Sequence, residues 1–148
     1  MSVEGGTVNG GVSGGQSTGG TAENNKATIN AGTVQASFIG GVGTVSANNN
    51  RVEISGSATI GGNAIGGGSG SAGATASDNS LTMSGGHVVG DIAGGRADDL
   101  VSRNDVTLSG GQIDGSVYGG HSISKDASNN NVSVNGALDS VVMRFRIY

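Results

Sequence analysis

Short runs in which apolar and small polar residues alternate recur along the whole chain. Ser80-Leu81-Thr82-Met83 and Asp105-Val106-Thr107-Leu108 are the clearest, each with two apolar side chains on one side of an extended strand. Each run leads through a Gly-rich turn to a further pair of apolar positions, Val88 and Ile92 in one unit, Ile113 and Val117 in the next. A Gly pair follows, Gly94-Gly95 and Gly119-Gly120. β-Branched residues at period two, interrupted by Gly every few positions, predict short strands and exclude helical repeats.

Superposing the units aligns several columns. Asn25, Asn50, Asn79, Asn104 and Asn130 form one, separated by 25, 29, 25 and 26 residues. Two positions on stand Ala27, Val52, Leu81, Val106 and Val132, then Ile29, Ile54, Met83, Leu108 and Val134. Val34, Ile60, Val88 and Ile113 follow, then Phe38, Ala64, Ile92 and Val117. Ala22, Ala47, Ala76, Val101 and Ala127 precede each Asn. A headless sixth copy occupies the N-terminus from Val3 to Gly15.

A period in this range means a solenoid, a propeller or an array, and it is too short for a propeller blade of roughly 40–45 residues. The reading is all-β: a parallel β-solenoid with about one 25-residue repeat per coil, and two or three short strands in each. Residues 1–140 make five to six coils, and 141–148 make a C-terminal capping or docking strand. With coils about 4.8 Å apart, an inward Asn column at a corner becomes a ladder of side-chain amides along the axis. Gly at the corners permits positive φ and close approach of neighbouring coils.

Composition changes this picture only by exclusion. Gly accounts for 31 of 148 residues, with no Pro, Cys or Trp, two Tyr and two Phe. Without the repeat, so much Gly and Ser would indicate low complexity. Lack of Cys removes disulfide, zinc-thiolate, iron–sulfur and thiol chemistry. A net charge of −4 opposes duplex binding, and scarce aromatics oppose a single-strand stacking platform; no nucleic-acid partner is expected. No apolar run approaches the roughly 20 residues of a membrane span, so direct membrane insertion is not expected. The start, Met1-Ser2-Val3-Glu4-Gly5-Gly6, lacks the basic and apolar stretches of a signal peptide.

The string Val106-Thr107-Leu108-Ser109-Gly110-Gly111-Gln112-Ile113-Asp114-Gly115-Ser116-Val117-Tyr118-Gly119-Gly120 resembles the Gly-rich repeats of bacterial surface proteins. The likeness is to the passenger regions of autotransporter-type adhesins, where V-T-I-S-G-G-x-V-x-G-x-V-Y-G-G recurs. The resemblance implies a secreted or surface-displayed right-handed β-helix used as a stalk or adhesive surface. Export and display would then come from segments outside these residues, and the missing Cys agrees with export as an unfolded chain.

Candidate sites are few. Loop length varies mostly on one edge, after the Gly pairs, and there residues 96–100 hold the densest charge, with Arg96, Asp98 and Asp99. Solenoid loops on one edge often bind, although a solvated loop also explains them. Ile39, Ile65 and Tyr118 share an outward column and predict a broken apolar strip suited to docking. Asp91 and Asp114 on neighbouring coils are the nearest approach to the carboxylate pair of a sugar-cleaving enzyme, yet the strand carries Tyr118 alone as an aromatic platform. His87 and His121 fall in different columns, so no shared metal is expected. No regular Asp column follows the inward Gly, as a calcium-binding β-roll requires. Thr28, Glu53, Thr82, Thr107 and Ser133 form an outward column that could order water as an ice-binding array does, but Glu53 interrupts it. Val141, Met143, Phe145 and Ile147 alternate with Val142, Arg144, Arg146 and Tyr148, a half-buried strand pattern. That strand serves either as a terminal cap or as a connector to another copy.

The function expected is therefore non-catalytic: an extracellular or cell-surface β-solenoid segment, structural or adhesive, needing no cofactor. Its partners would be surface glycans, surface proteins or itself. The alternatives are a self-assembling filament subunit, joined end to end or through its C-terminal strand, and a carbohydrate-active β-helix.

Overall fold

The computed structural model describes residues 1–141, 145 and 146, with side chains up to Asp139. One coil begins at Lys26–Ile29, turns through Thr33–Val34, crosses Phe38–Gly43 and closes with Ser46–Asn48. The next repeats this with Arg51–Ile54, Thr59–Ile60, Ala64–Gly68 and Thr75–Ser77. There are thus four short strands per coil rather than two or three. In two coils the first two fuse into single bent strands, Ser80–Val88 and Asp105–Ile113. A register irregularity beside Met83 and Ser84 marks the bend between these two strands.

The coils stack in parallel, and the described strands form three sheets of ten, six and five strands. The registers reproduce the sequence columns: Ala27 lies beside Val52, Leu81 beside Val106, and Val106 beside Val132. Each coil sends four side chains inward, for example Leu81, Met83, Val88 and Ile92, or Val106, Leu108, Ile113 and Val117, and all eight are buried. Alternation explains this layer, because residues two apart on a strand share a face. Ala76, Ala97 and Val101 make a smaller cluster behind the third sheet. The parallel β-solenoid is the fold of this chain.

Corners use two backbone devices. Gly32, Gly86 and Gly111 adopt positive φ at the first turn, as a Gly corner suggests. The corner before each ladder Asn is made by non-Gly residues instead. Asn24, Asn49, Asp78, Arg103 and Asn129 have φ of 57°, 52°, 59°, 55° and 55°. The left-handed region is uncommon outside Gly and enriched in Asn and Asp, which accounts for four of the five. The Gly pairs are not among the positive-φ positions. They serve close approach alone: a Cβ on Gly14, Gly40, Gly66 or Gly94 would collide with the carbonyl oxygen of the equivalent Gly on the next coil.

Of the strand expected over 141–148, the described residues Val141, Phe145 and Arg146 pair in two different sheets. Ser140–Val141 lies beside Gln112 and Ile113, and Phe145–Arg146 lies beside Val117 and Tyr118. Both continue the registers of the coil before them, so the expected boundary at 140/141 falls inside a strand. Met143, Ile147 and Tyr148 lie outside the described residues, as does the side chain of Phe145.

Candidate functional site

The side chains with chemical potential divide into those that tie coils together and those that remain on the outer face of the second sheet. The Asn ladder is the largest of the first group. Asn50, Asn79 and Asn104 are each 1% exposed. The Nδ2 of Asn25, Asn50, Asn79 and Asn104 donates to the Oδ1 of the next member at 2.9, 3.0, 2.9 and 2.9 Å. The backbone N–H of each donates to the same oxygen. The second amide hydrogen of Asn50, Asn79, Asn104 and Asn130 reaches the carbonyls of Ala22, Ala47, Ala76 and Val101 on the preceding coil. An amide offers two donors and two lone pairs, and the interior members use all four.

A second ladder runs at the corner between the first and second sheets. The backbone N–H of Asn63, Asp91 and Ser116 donates to Ser37 Oγ, Asn63 Oδ1 and Asp91 Oδ1 at 3.3, 2.9 and 2.8 Å. Its members differ in residue type, so no column of identical letters advertises it. The signal was positional, since each stands just before an inward apolar residue: Phe38, Ala64, Ile92 and Val117.

This resolves the carboxylates. Asp91 is a corner residue of that ladder. Asp114 is held by Gln112 Nε2 at 2.9 Å and His87 Nε2 at 2.8 Å. Asp91 and Asp114 thus each have hydrogen-bond partners of their own. In the charged loop, Asp98 accepts from Gly73 N–H at 2.8 Å and from the Ser124 hydroxyl, and Asp99 meets Lys125 Nζ at 3.2 Å. Asp98 and Asp99 therefore tie neighbouring loops together. The same bonds fasten the long 69–74 segment, in which Ala74 is buried.

Several of these contacts hold carboxyls below their ordinary range. The Lys26 ammonium does so for Glu53, assisted by Arg51, and the Arg103 guanidinium does so for Asp78. Ser124 and Gly73 act on Asp98, and Gln112 with His87 on Asp114. A carboxyl whose folded pKa is depressed stabilises the fold above its unfolded pKa, and that contribution is lost as pH falls through the folded value. The melting temperature should accordingly be flat from neutrality to about pH 5 and fall below about pH 4. Because the pairs are at the surface the fall should be modest and smaller in high salt. A melting temperature unchanged down to pH 2.5 would contradict it.

The outer face of the second sheet carries what remains. Ser13, Ile39, Ile65, Ala93 and Tyr118 stand in one register column, as expected. Gln16, Val42, Gly68, Arg96 and His121 form the parallel column beyond the Gly pairs. The two Gly restore the outward direction after three residues instead of two. Tyr118 and His121 consequently stack, with ring centroids 4.8 Å apart and planes 16° from parallel. Ile65 is not an exposed residue of the strip: it is only 6% exposed.

The chain matches no known family, no curated protein and no solved structure. The site is therefore read from its own geometry. Gly68 is the missing tooth in its column, between Val42 and Arg96. The gap opens a groove of about 270 Å³ lined by Ile39, Val42, Ile65, Ile123, Ser69, Gly70 and Arg96. Among the described residues the Arg96 guanidinium makes no ion pair and no hydrogen bond. A second, tighter cleft shares Ile65 and Arg96 and reaches Asn63, Asp91, Tyr118 and His121. The sequence pointed to Ile39, Ile65, Tyr118 and Arg96 separately. It did not indicate that Gly68 makes a cavity among them.

Proposed function

We propose that this chain is a non-catalytic structural segment of an extracellular or cell-surface protein, a β-solenoid rod whose flank serves as an adhesive or spacing surface. One observation carries the reading. Side chains that would otherwise be available for chemistry are engaged along the axis, Asn to Asn, Asp91 to Ser116, Asp98 to Gly73 and Ser124, Asp78 to Arg103. Coil-to-coil bonding of this kind favours a stiff, extended object whose stability grows with the number of units. The likeness of residues 106–120 to adhesin passenger repeats supports the surface setting.

The test is retention of the purified chain on a panel of extracellular polysaccharides and surface proteins, with reducing ends assayed in the same wells. Retention on at least one surface without new reducing ends is the expected result. Release of reducing ends would replace this reading with that of a carbohydrate-active β-helix, and filaments in electron micrographs of the free chain would replace it with that of an assembling subunit.

A further inference from the structure

We propose that the groove at Gly68 is a binding site for a small amphipathic carboxylate, an alkyl chain lying along Ile39, Val42, Ile65 and Ile123 with its carboxylate on Arg96. This goes beyond the scaffold reading and does not depend on it.

Three features of the groove point to that chemistry. The first is its origin. Gly68 has an ordinary extended backbone, and a Cβ there would meet only the Arg96 carbonyl oxygen at 3.3 Å and Ile65 Cγ2 at 3.4 Å. Most other glycines of this sheet are required by backbone or Asn atoms that a Cβ would strike, as at Gly66 and Gly67. At Gly68 a Cβ would be tight but not forbidden, and the space that a larger side chain would take up belongs to the groove.

The second is the wall. Four branched aliphatic side chains from three coils line it, and Ile123 is 56% exposed. Binding sites for small molecules are mostly apolar with a few polar groups that fix orientation. Branched aliphatic walls without an aromatic ring favour an alkyl chain over a sugar ring.

The third is charge. Arg96 lines the groove, and no carboxylate of the described residues pairs with it. The acids nearest in sequence, Asp98 and Asp99, are engaged by Gly73, Ser124 and Lys125. Asp91, across the neighbouring cleft, gives one carboxylate oxygen to the Ser116 N–H. A guanidinium presents its donors in a fork that matches a carboxylate, and the apolar wall around it lowers the competition from water. An uncharged alkyl ligand would leave that fork unused, and a cationic one would be repelled.

Octanoate is the probe, with octanol as its uncharged counterpart. The readout is the Ile δ1 methyl spectrum of the full chain, in which buried Ile29, Ile54 and Ile60 are internal controls. Octanoate should shift the methyls of Ile39, Ile65 and Ile123 saturably, in the low-millimolar range, and leave the controls in place. Octanol should bind about tenfold more weakly. Arg96→Gln should weaken octanoate about tenfold and leave octanol unchanged, and Gly68→Val should abolish both by filling the groove. Absence of saturable shifts at the three methyls overturns the proposal. Equal binding of octanoate and octanol, or indifference to Arg96→Gln, overturns the carboxylate assignment. Shifts that spread to the control methyls would indicate general detergent action and overturn it as well. Retention of the chain on a surface panel is measured separately, so failure of the groove leaves the scaffold reading intact and the converse also holds.

Discussion

Asn104→Leu is expected to lower the unfolding free energy by about 3–5 kcal/mol, read as a shift in urea or thermal midpoint. Leu has as many side-chain heavy atoms as Asn but is bulkier, so crowding against Gly95 adds to the loss of hydrogen bonding. Without the amide, the backbone N–H and one Nδ2 hydrogen of Asn79 lose their acceptor, and the carbonyl of Ala76 loses its donor. Each buried group left unpaired costs about 1–3 kcal/mol, and the three share one network, so they do not simply add. Asn130 keeps the bond from the backbone of residue 104, which bounds the damage on that side. Asn48→Ala is the contrast, since its side chain is only half-buried and makes one long bond, to Ser46 Oγ at 3.3 Å. It should change stability by less than about 0.5 kcal/mol. Equal midpoints for wild type and Asn104→Leu would remove the ladder from any account of stability.

Gly95→Ala should be about as damaging, at about 3 kcal/mol or more, because one methyl group has nowhere to go. Its Cβ would stand 2.6 Å from both Cγ and Oδ1 of Asn104. That side chain cannot swing aside, since its amide is bonded to Ala76, Ser102, Asn79 and Asn130. The decisive measurement is the double variant Gly95→Ala/Asn104→Ala. If the methyl and the amide compete for one space, the double variant will be less destabilised than the sum of the singles by at least about 1 kcal/mol. Strict additivity would mean that the second Gly of the pair is required for another reason. Gly19→Ala, whose Cβ would meet nothing within 4 Å, should be near neutral.

The two predictions meet at one structural fact. The second Gly of each pair and the ladder Asn that opens the next repeat are a matched couple: Gly15 with Asn25, Gly41 with Asn50, Gly67 with Asn79, Gly95 with Asn104, Gly120 with Asn130. Both columns were visible in the sequence, and each had a separate explanation there. Their dependence on each other became visible only when the coil was closed.

How far the sequence carried the argument follows from what a repeat can reveal. A unit of about 26 residues with apolar positions two apart cannot hide them alone and must stack on copies of itself. The period and the alternation together led to a parallel β-solenoid, to the four inward columns and to the inward Asn; the shared column of Ile39, Ile65 and Tyr118 was legible too, but the burial of Ile65 was not. These are properties of a single coil, repeated.

What the tertiary structure decided lies between coils. Ser37, Asn63, Asp91 and Ser116 form a ladder through different atoms, so they share a position and no common letter. Asp98 reads as a solvent-facing acid until its loop is placed against Gly73 and Ser124, residues about 25 positions away on either side. Gly68 becomes a cavity only because Val42 and Arg96 flank it in register. Residues 141–148 read as one strand by alternation alone, but Val141 pairs with Ile113 in one sheet while Phe145 and Arg146 pair with Val117 and Tyr118 in another. The sequence by itself determined which residues point inward, because strand alternation is a local property of the backbone. Which polar atoms meet, and where space is left, was decided by axial register, because a hydrogen bond or a cavity depends on atoms brought together from different coils.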